Sequence, residues 1–182
     1  MNYIQILKEG ENFLKASNIK NPNLDTELIL TKVINKKREE ILLNGNNKLH
    51  NTDLKKFRNY LFRRYHKEPM AYILGYKHFW KHKFLTNKSV LIPRPDTELI
   101  VEETLKHLPI DKSKKILDVG TGSGCIVISL IIERPKCAAT AIDISIKALN
   151  VAKTNAKLHH LENKINFINI DIDKYKSYNY DL

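Results

Sequence analysis

The stretch ILDVGTGSGCIVISL, residues 116–130, constrains this chain more than any other. A short apolar run ends in Asp118. Gly120, Gly122 and Gly124 follow at alternate positions, and a second apolar run continues from Cys125. The first run has the length of a buried strand and the second that of a helix, once the glycines have turned the chain between them. Side chains in that turn would block close approach of a ligand to the backbone, and some turn positions need positive φ. The rhythm then repeats. Residues 138–142 read as a strand, a helix runs through Ala148, Ala152 and Leu158, and residues 165–170 read as another strand. Tyr180, Asp181 and Leu182 look like the opening of a fourth. Strands alternating with helices of this length imply parallel βαβ units.

Ahead of this region the chain has a different texture. Ile4, Leu7 and Leu14 give one apolar face at helical spacing. Asn21 and Pro22 read as a cap and first-turn proline for a helix carrying Leu24, Leu28, Val33 and Ile34. Asn44 and Gly45 stop a short segment. Thr52 is placed to cap a long helix with Leu54, Phe57, Leu61 and Tyr65 inward. Its outer face carries Lys55, Lys56, Arg58, Arg63, Arg64 and Lys67, expected to be a solvated surface. Residues 71–74 and 79–85, rich in aromatic and branched side chains around Gly75, suggest extended segments or a small hairpin. Pro93 and Pro95 stiffen the approach to a helix with Asp96 and Glu98 in its first turn and Ile100, Val101, Thr104, Leu105 and Leu108 facing inward. The expected fold class is therefore α/β, with a helical domain over 1–67, a hairpin-like linker over 68–88, and the first half of a Rossmann-like domain over 89–182.

The longest apolar stretch, residues 125–132, is too short to span a bilayer, and the charged N-terminus lacks a signal peptide's apolar run. A cytoplasmic protein is expected. Cys125 and Cys137 form neither a CxxC pair nor a disulfide framework and read as structural; no metal site is expected. A net charge of +11 invites a nucleic-acid reading, but the cations are 25 lysines against 6 arginines, beside 22 isoleucines and 18 asparagines. That joint excess looks like a compositional bias. Arginine, the better bidentate phosphate ligand, is scarce.

What would the glycine loop bind? A dinucleotide fingerprint is GxGxxG, with pyrophosphate at the helix N-terminus. Here the spacing is GxGxG, and no P-loop lysine follows. A ligand without phosphate, S-adenosyl-L-methionine, fits better than a nicotinamide dinucleotide. Asp143, 23 residues after Gly120, ends the second strand where a carboxylate can accept ribose hydroxyls. Asp171 closes the third strand, beside the place where an adenine ring would lie.

Three segments, EPMAYILGYKHFW from Glu68, VLIPRPDTELIVEETL from Val90 and ILDVGTGSGCI from Ile116, together resemble the HemK/PrmC family of release-factor glutamine-N5 methyltransferases. PRPDTE is the most specific of the three pieces. The resemblance implies a Rossmann-like methyltransferase domain with S-adenosyl-L-methionine as cofactor and a class I peptide-chain release factor as partner, with direct nucleic-acid binding not expected. It implies that Gly120, Thr121, Gly122, Ser123 and Gly124 line the cofactor, with Asp143 on its ribose and Asp171 and Ile172 bordering the adenine. Pro93, Arg94, Pro95 and Thr97 would flank the methionine end and the substrate channel, Arg94 by direct contact or by a salt bridge that positions the loop. The helical domain would help grip the release factor. The family's Asn-Pro-Pro-Tyr motif does not occur in residues 1–182. No catalytic residue is therefore assigned, and turnover by these residues alone is not expected. The alternatives are an adenine-N6 methyltransferase on DNA or RNA, and a cofactor-binding fragment without activity.

Overall fold

A computed structural model of the chain describes every residue but Tyr178. The chain divides into two compact units, Met1–Leu74 and Gly75–Leu182.

The first unit is helical: α1 (Tyr3–Lys15), α2 (Pro22–Ile34), α3 (Arg38–Leu43), α4 (Asn51–Tyr65) and the short α5 (Met70–Leu74). A capping box starts α1, with the Asn2 side chain accepting from Gln5 N and the Gln5 side chain from Asn2 N. The inward face of α1 is Tyr3, Ile6, Gly10 and Leu14, so Ile4 points outward at 57% exposure. On α2 the buried residues are Asp25, Thr26, Ile29 and Leu30 rather than Leu24 and Leu28. Apolar residues almost encircle that helix, so the pattern did not select its face. Helix α4 begins at Asn51 with His50 as its N-cap, two residues ahead of the expected Thr52, and buries Phe57 and Leu61. Residues 71–74, expected to be extended or part of a small hairpin, belong instead to the single helical turn of α5, because Tyr72 N and Ile73 N both donate to Pro69 O.

A close approach holds the three long helices. A Cβ on Gly10 would lie 2.6 Å from Thr26 Cγ2 and 3.2 Å from both Leu61 and Phe57. The cations on α4 are mostly engaged. Arg64 pairs with the buried Asp25 at 2.7 Å, Arg63 with Glu68 at 2.7 Å, Arg58 with Glu9 at 3.0 Å and Lys56 with Asp53 at 3.2 Å. Lys67 donates to the Ser17 and Asn18 carbonyls that end α1. Of the six, only Lys55 makes no ion pair or carbonyl bond among the described residues.

The second unit opens with an antiparallel hairpin, β1 (Tyr76–Phe79) and β2 (His82–Leu85). Its tight turn puts Trp80 at φ 54°, a costly setting for a bulky side chain. Two glutamates hold it there: Glu98 accepts from Trp80 N at 2.8 Å, and Glu133 from Trp80 Nε1 at 2.9 Å. A 3₁₀ turn over Pro95–Thr97 leads into α6 (Glu98–His107), where Val101 and Leu108 are buried but Ile100 is 52% exposed, contrary to its expected inward place. The helix starts only at Glu98, and Ile100 falls on its solvent side.

Then β3 (Lys115–Val119), α7 (Cys125–Glu133), β4 (Ala138–Asp143), α8 (Ile146–Leu158) and β5 (Ile165–Asn169) alternate. The three strands form one parallel sheet in the order β3-β4-β5, with Asp118 beside Ala141 and Asp143 beside Asn169. The last residues lie along the free side of β3, where Asp181 N donates to Lys115 O at 2.8 Å and Leu117 N to Leu182 O at 2.9 Å. Residues 180–182, expected to open a fourth strand, are thus extended chain bonded to β3 and are not part of the sheet. Open α/β sheets bind ligands outside the carboxyl ends of their strands. The core beneath it contains Phe79, Phe84, Val101, Ile116, Val127, Ile128, Ile131 and Ala141. Among the described residues no helix is long and apolar enough to cross a membrane.

The Asp25–Arg64 pair gives a test of the helical unit. Arg64→Ala strands a buried carboxylate, which costs about 2–3 kcal/mol, somewhat under the value for a fully buried pair. Lys55→Ala costs nothing measurable. Urea unfolding followed by far-ultraviolet circular dichroism checks this. Equal midpoints for the two variants would contradict it.

Candidate cofactor site

The site forms where β3 and β4 end side by side. Three glycines carry the chain from β3 to α7 with φ of 70° at Gly120, 57° at Gly122 and 78° at Gly124. All three lie in the left-handed region that favours glycine. Open space surrounds Gly120, and a Cβ on Gly122 would meet only the Gly120 carbonyl at 3.9 Å. Gly124 differs, since a Cβ there would sit 2.9 Å from Ile128 Cδ1 and 3.3 Å from Ala152. The first two leave a cradle clear, and the third lets α8 close against the start of α7.

The loop's own hydrogen bonds set what the cradle can accept. Gly120 N and Thr121 N both donate to Ile142 O, at 2.8 and 3.1 Å. Gly124 N donates to Thr121 O at 2.8 Å, and Gly122 N to Asp143 Oδ2 at 2.9 Å. Four of the loop's amide donors are thus consumed internally. A phosphate-binding loop instead turns free N–H groups toward its anion. Two carboxylates, Asp118 and Asp143, also lie close to this loop. That surface suits hydroxyls and cations and disfavours phosphate.

Asp143 is half-buried, and both its oxygens are engaged: Oδ2 by Gly122 N and Oδ1 by Ser145 N at 2.8 Å. A carboxylate oxygen has two acceptor positions, so each retains one for a ligand hydroxyl. Asp118 accepts from the Thr121 hydroxyl at 2.7 Å. Burial raises its carboxyl pKa, the Thr121 hydrogen bond opposes the rise, and the neighbouring Asp143 charge adds to it. Burial likewise pushes the Cys125 thiol up to about 11, so this cysteine is no nucleophile.

The other expected residues are distributed around this loop in sequence. Thr121 and Ser123 are buried within it. The Asp171 side chain caps a 3₁₀ turn, accepting from Asp173 N at 3.1 Å, and Ile172 is 46% exposed at that turn. Pro93 is buried, Arg94 and Pro95 are exposed, and Thr97 N donates to Arg94 O at 3.1 Å. Arg94 makes no ion pair among the described residues, so no salt bridge positions its loop there. Among the described residues no cluster of three or more His, Cys, Asp or Glu is placed to hold a metal. A cavity of about 550 Å³ lies at the strands' opposite ends, lined by Lys115, Ala138 and Ile165 among others, and none of the expected site residues lines it.

Three supporting residues escaped the sequence reading. Ser145 caps α8 by accepting from Ala148 N at 3.2 Å. Asn169 donates to the Asp143 and Ile144 carbonyls, both at 2.9 Å, and so braces the end of β4. Asn155 is completely buried. Its signal was present: it falls on the same α8 face as Ala148, Ala152 and Ala156, a polar residue in an apolar stripe.

A glycine-turned strand end, an adjacent acidic strand end, and a loop closed to phosphate define a Rossmann-like methyltransferase domain, a class whose cofactor is S-adenosyl-L-methionine. Comparison agrees, matching a methyltransferase domain family over residues 110–182 and the PrmC N-terminal domain family over residues 5–75. A release factor glutamine methyltransferase of Coxiella burnetii is 42% identical over 144 residues, covering 79% of this chain and 52% of that protein. One from Chlorobaculum tepidum is 36% identical over 173 residues, 92% of this chain and 59% of that protein. A bifunctional methyltransferase of Rickettsia bellii is 37% identical over 190 residues, 90% of this chain and 34% of that protein. The chain is thus similar to HemK/PrmC-type methyltransferases in both of its units. It spans about half the length of the release factor methyltransferases it matches.

The Asp118 carboxyl yields a pH test. An acid with a raised folded pKa binds its proton more tightly when folded, so stability falls as pH rises from the ordinary aspartate value through the raised one. Asp118→Asn removes that dependence and keeps an oxygen for Thr121. Its urea midpoint, read from Trp80 fluorescence, exceeds that of the unsubstituted chain at neutral pH, with the gain shrinking as pH falls through the raised value toward the ordinary aspartate value. A loss at neutral pH, or a gain that ignores pH, would contradict the assignment.

Proposed function

We propose that this chain supplies the cofactor-binding part of an S-adenosyl-L-methionine-dependent methyltransferase that modifies a glutamine side-chain amide, at N5, in a class I peptide-chain release factor. The observation that carries the cofactor reading is the loop whose N–H groups are consumed internally beside two carboxylates. Gly120, Thr121, Gly122, Ser123 and Gly124 line the cofactor, and the free acceptor positions of Asp143 take its ribose hydroxyls. Asp171 and Ile172 border the adenine, while Pro93, Arg94, Pro95 and Thr97 flank the methionine end and the substrate channel. When bound, the cofactor supplies an electrophilic methyl group on a sulfonium. The chain's residues bind and orient it, which is where positioning catalysis begins.

The substrate reading rests on the named relatives and on the PrmC N-terminal domain. The state of α4 supports it over a nucleic-acid substrate, since four of its five cations are already committed to carboxylates, and Lys67 just beyond it to backbone carbonyls. The protein works in the cytoplasm, where release factors act.

Asp143→Ala weakens S-adenosyl-L-methionine binding by about 1.5–3 kcal/mol, the range for a charge-assisted hydrogen bond. Calorimetry on a folded variant checks this, and unchanged affinity would remove Asp143 from the site. Given radiolabelled cofactor, the complete gene product places its label on a release-factor glutamine. Label in DNA or RNA adenine, and none in release factor, would overturn the substrate reading.

A further inference from the structure

The buried amide of Asn155 joins two segments far from it in sequence. Its Oδ1 accepts from Leu85 N at 2.7 Å, and its Nδ2 donates to Leu85 O at 3.1 Å and Ser123 O at 2.8 Å. Leu85 ends β2, so Asn155 bonds that residue as a neighbouring strand would. Ser123 belongs to the glycine loop and is itself 3% exposed.

The bond to Ser123 acts on the loop's most permissive joint. The peptide between Ser123 and Gly124 is a planar unit. Its carbonyl is held by Asn155, and its N–H donates to Thr121 O at 2.8 Å. Gly124, at φ 78°, has no Cβ to resist rotation of that plane. Two hydrogen bonds at opposite ends of the unit provide the resistance, and one of them comes from α8. The same helix holds the chain beyond β2, because Val90 packs in a small cluster with Ala148 and Val151. From Val90 the chain runs directly into residues 93–97. Helix α8 is thus a strut with the glycine loop at one contact and the approach to residues 93–97 at two others.

We propose that Asn155 is a positioning residue for the cofactor: it sets the orientation of the Ser123–Gly124 peptide and couples the glycine loop to the segment that leads to residues 93–97. The inference rests on the reading of residues 120–124 as the cofactor cradle. It adds a residue that touches no ligand and acts through the loop.

Two variants separate positioning from stability. Asn155→Asp keeps an acceptor for Leu85 N but turns an oxygen toward the Ser123 and Leu85 carbonyls. Asn155→Ala deletes all three bonds without adding charge. Each weakens S-adenosyl-L-methionine binding to the 182-residue chain by about tenfold, the effect of one lost hydrogen bond in the loop's support. Ile131→Ala, a cavity in the same core at the far end of α7, lowers stability as much or more and leaves affinity unchanged. Affinity equal to that of the unsubstituted chain in a folded Asn155 variant overturns this inference and leaves the cofactor reading standing. Failure of the unsubstituted chain to bind overturns both. Should neither variant fold, amide exchange on the unsubstituted chain decides: cofactor slows exchange at Gly124 and Leu85 together, and protection of Gly124 alone overturns the coupling.

Discussion

The second unit depends on one carboxylate. Asp143 holds the amide of Gly122, 21 residues earlier, and that of Ser145, two residues later. Through the first bond the end of β4 fixes the turn that leaves β3. Through the second it fixes the residue that caps α8. The parallel register that sets Val119 beside Ile142 brings these groups into range, and Ile142 O adds two bonds to the loop. An acid at this strand end therefore shapes the cradle before any ligand arrives, which is the sense in which a site is preorganised. Because each oxygen keeps an unused acceptor position, the structural duty does not consume the binding capacity.

This geometry also explains why a glycine-rich loop at a strand–helix junction need not be a phosphate site. In a phosphate loop, unpaired amides and the helix dipole converge on an anion. Here the amides of Gly120, Thr121, Gly122 and Gly124 turn inward to Ile142, Asp143 and Thr121. Asp118, kept close to the loop by Thr121, adds negative charge when ionised. The spacing GxGxG and this hydrogen-bond economy point to the same class of ligand from independent directions.

Much of this was legible in the sequence. The glycine loop, the strand–helix alternation and the acidic end of β4 were readable because each is a local pattern with one physical solution. The inward faces of α1 and α2 were less so. Ile4 and Leu24 are apolar yet exposed, because the close packing at Gly10 and Thr26 selects the contact face, and small residues leave little trace in a hydrophobic pattern. The helical turn at residues 70–74 was hidden by aromatic and branched residues that favour strands, and Pro69 decided it. Tertiary hydrogen bonds were the least visible. Nothing near Trp80 announces that Glu98 and Glu133 hold it, and nothing near Ser123 announces Asn155. The basic face of α4 was misleading in the opposite sense, since a run of cations looks free until their partners on other segments are known.

We propose that the β3–α7 loop cradles a nucleoside cofactor without phosphate. Titration of S-adenosyl-L-methionine into the isotope-labelled chain, followed by backbone amide resonances, tests it most directly. Perturbations concentrated at residues 118–124, 143–145 and 169–172, with a nicotinamide dinucleotide leaving those amides in place, are the predicted result. A dinucleotide that moves the same amides as strongly, or S-adenosyl-L-methionine that moves none of them, would contradict it.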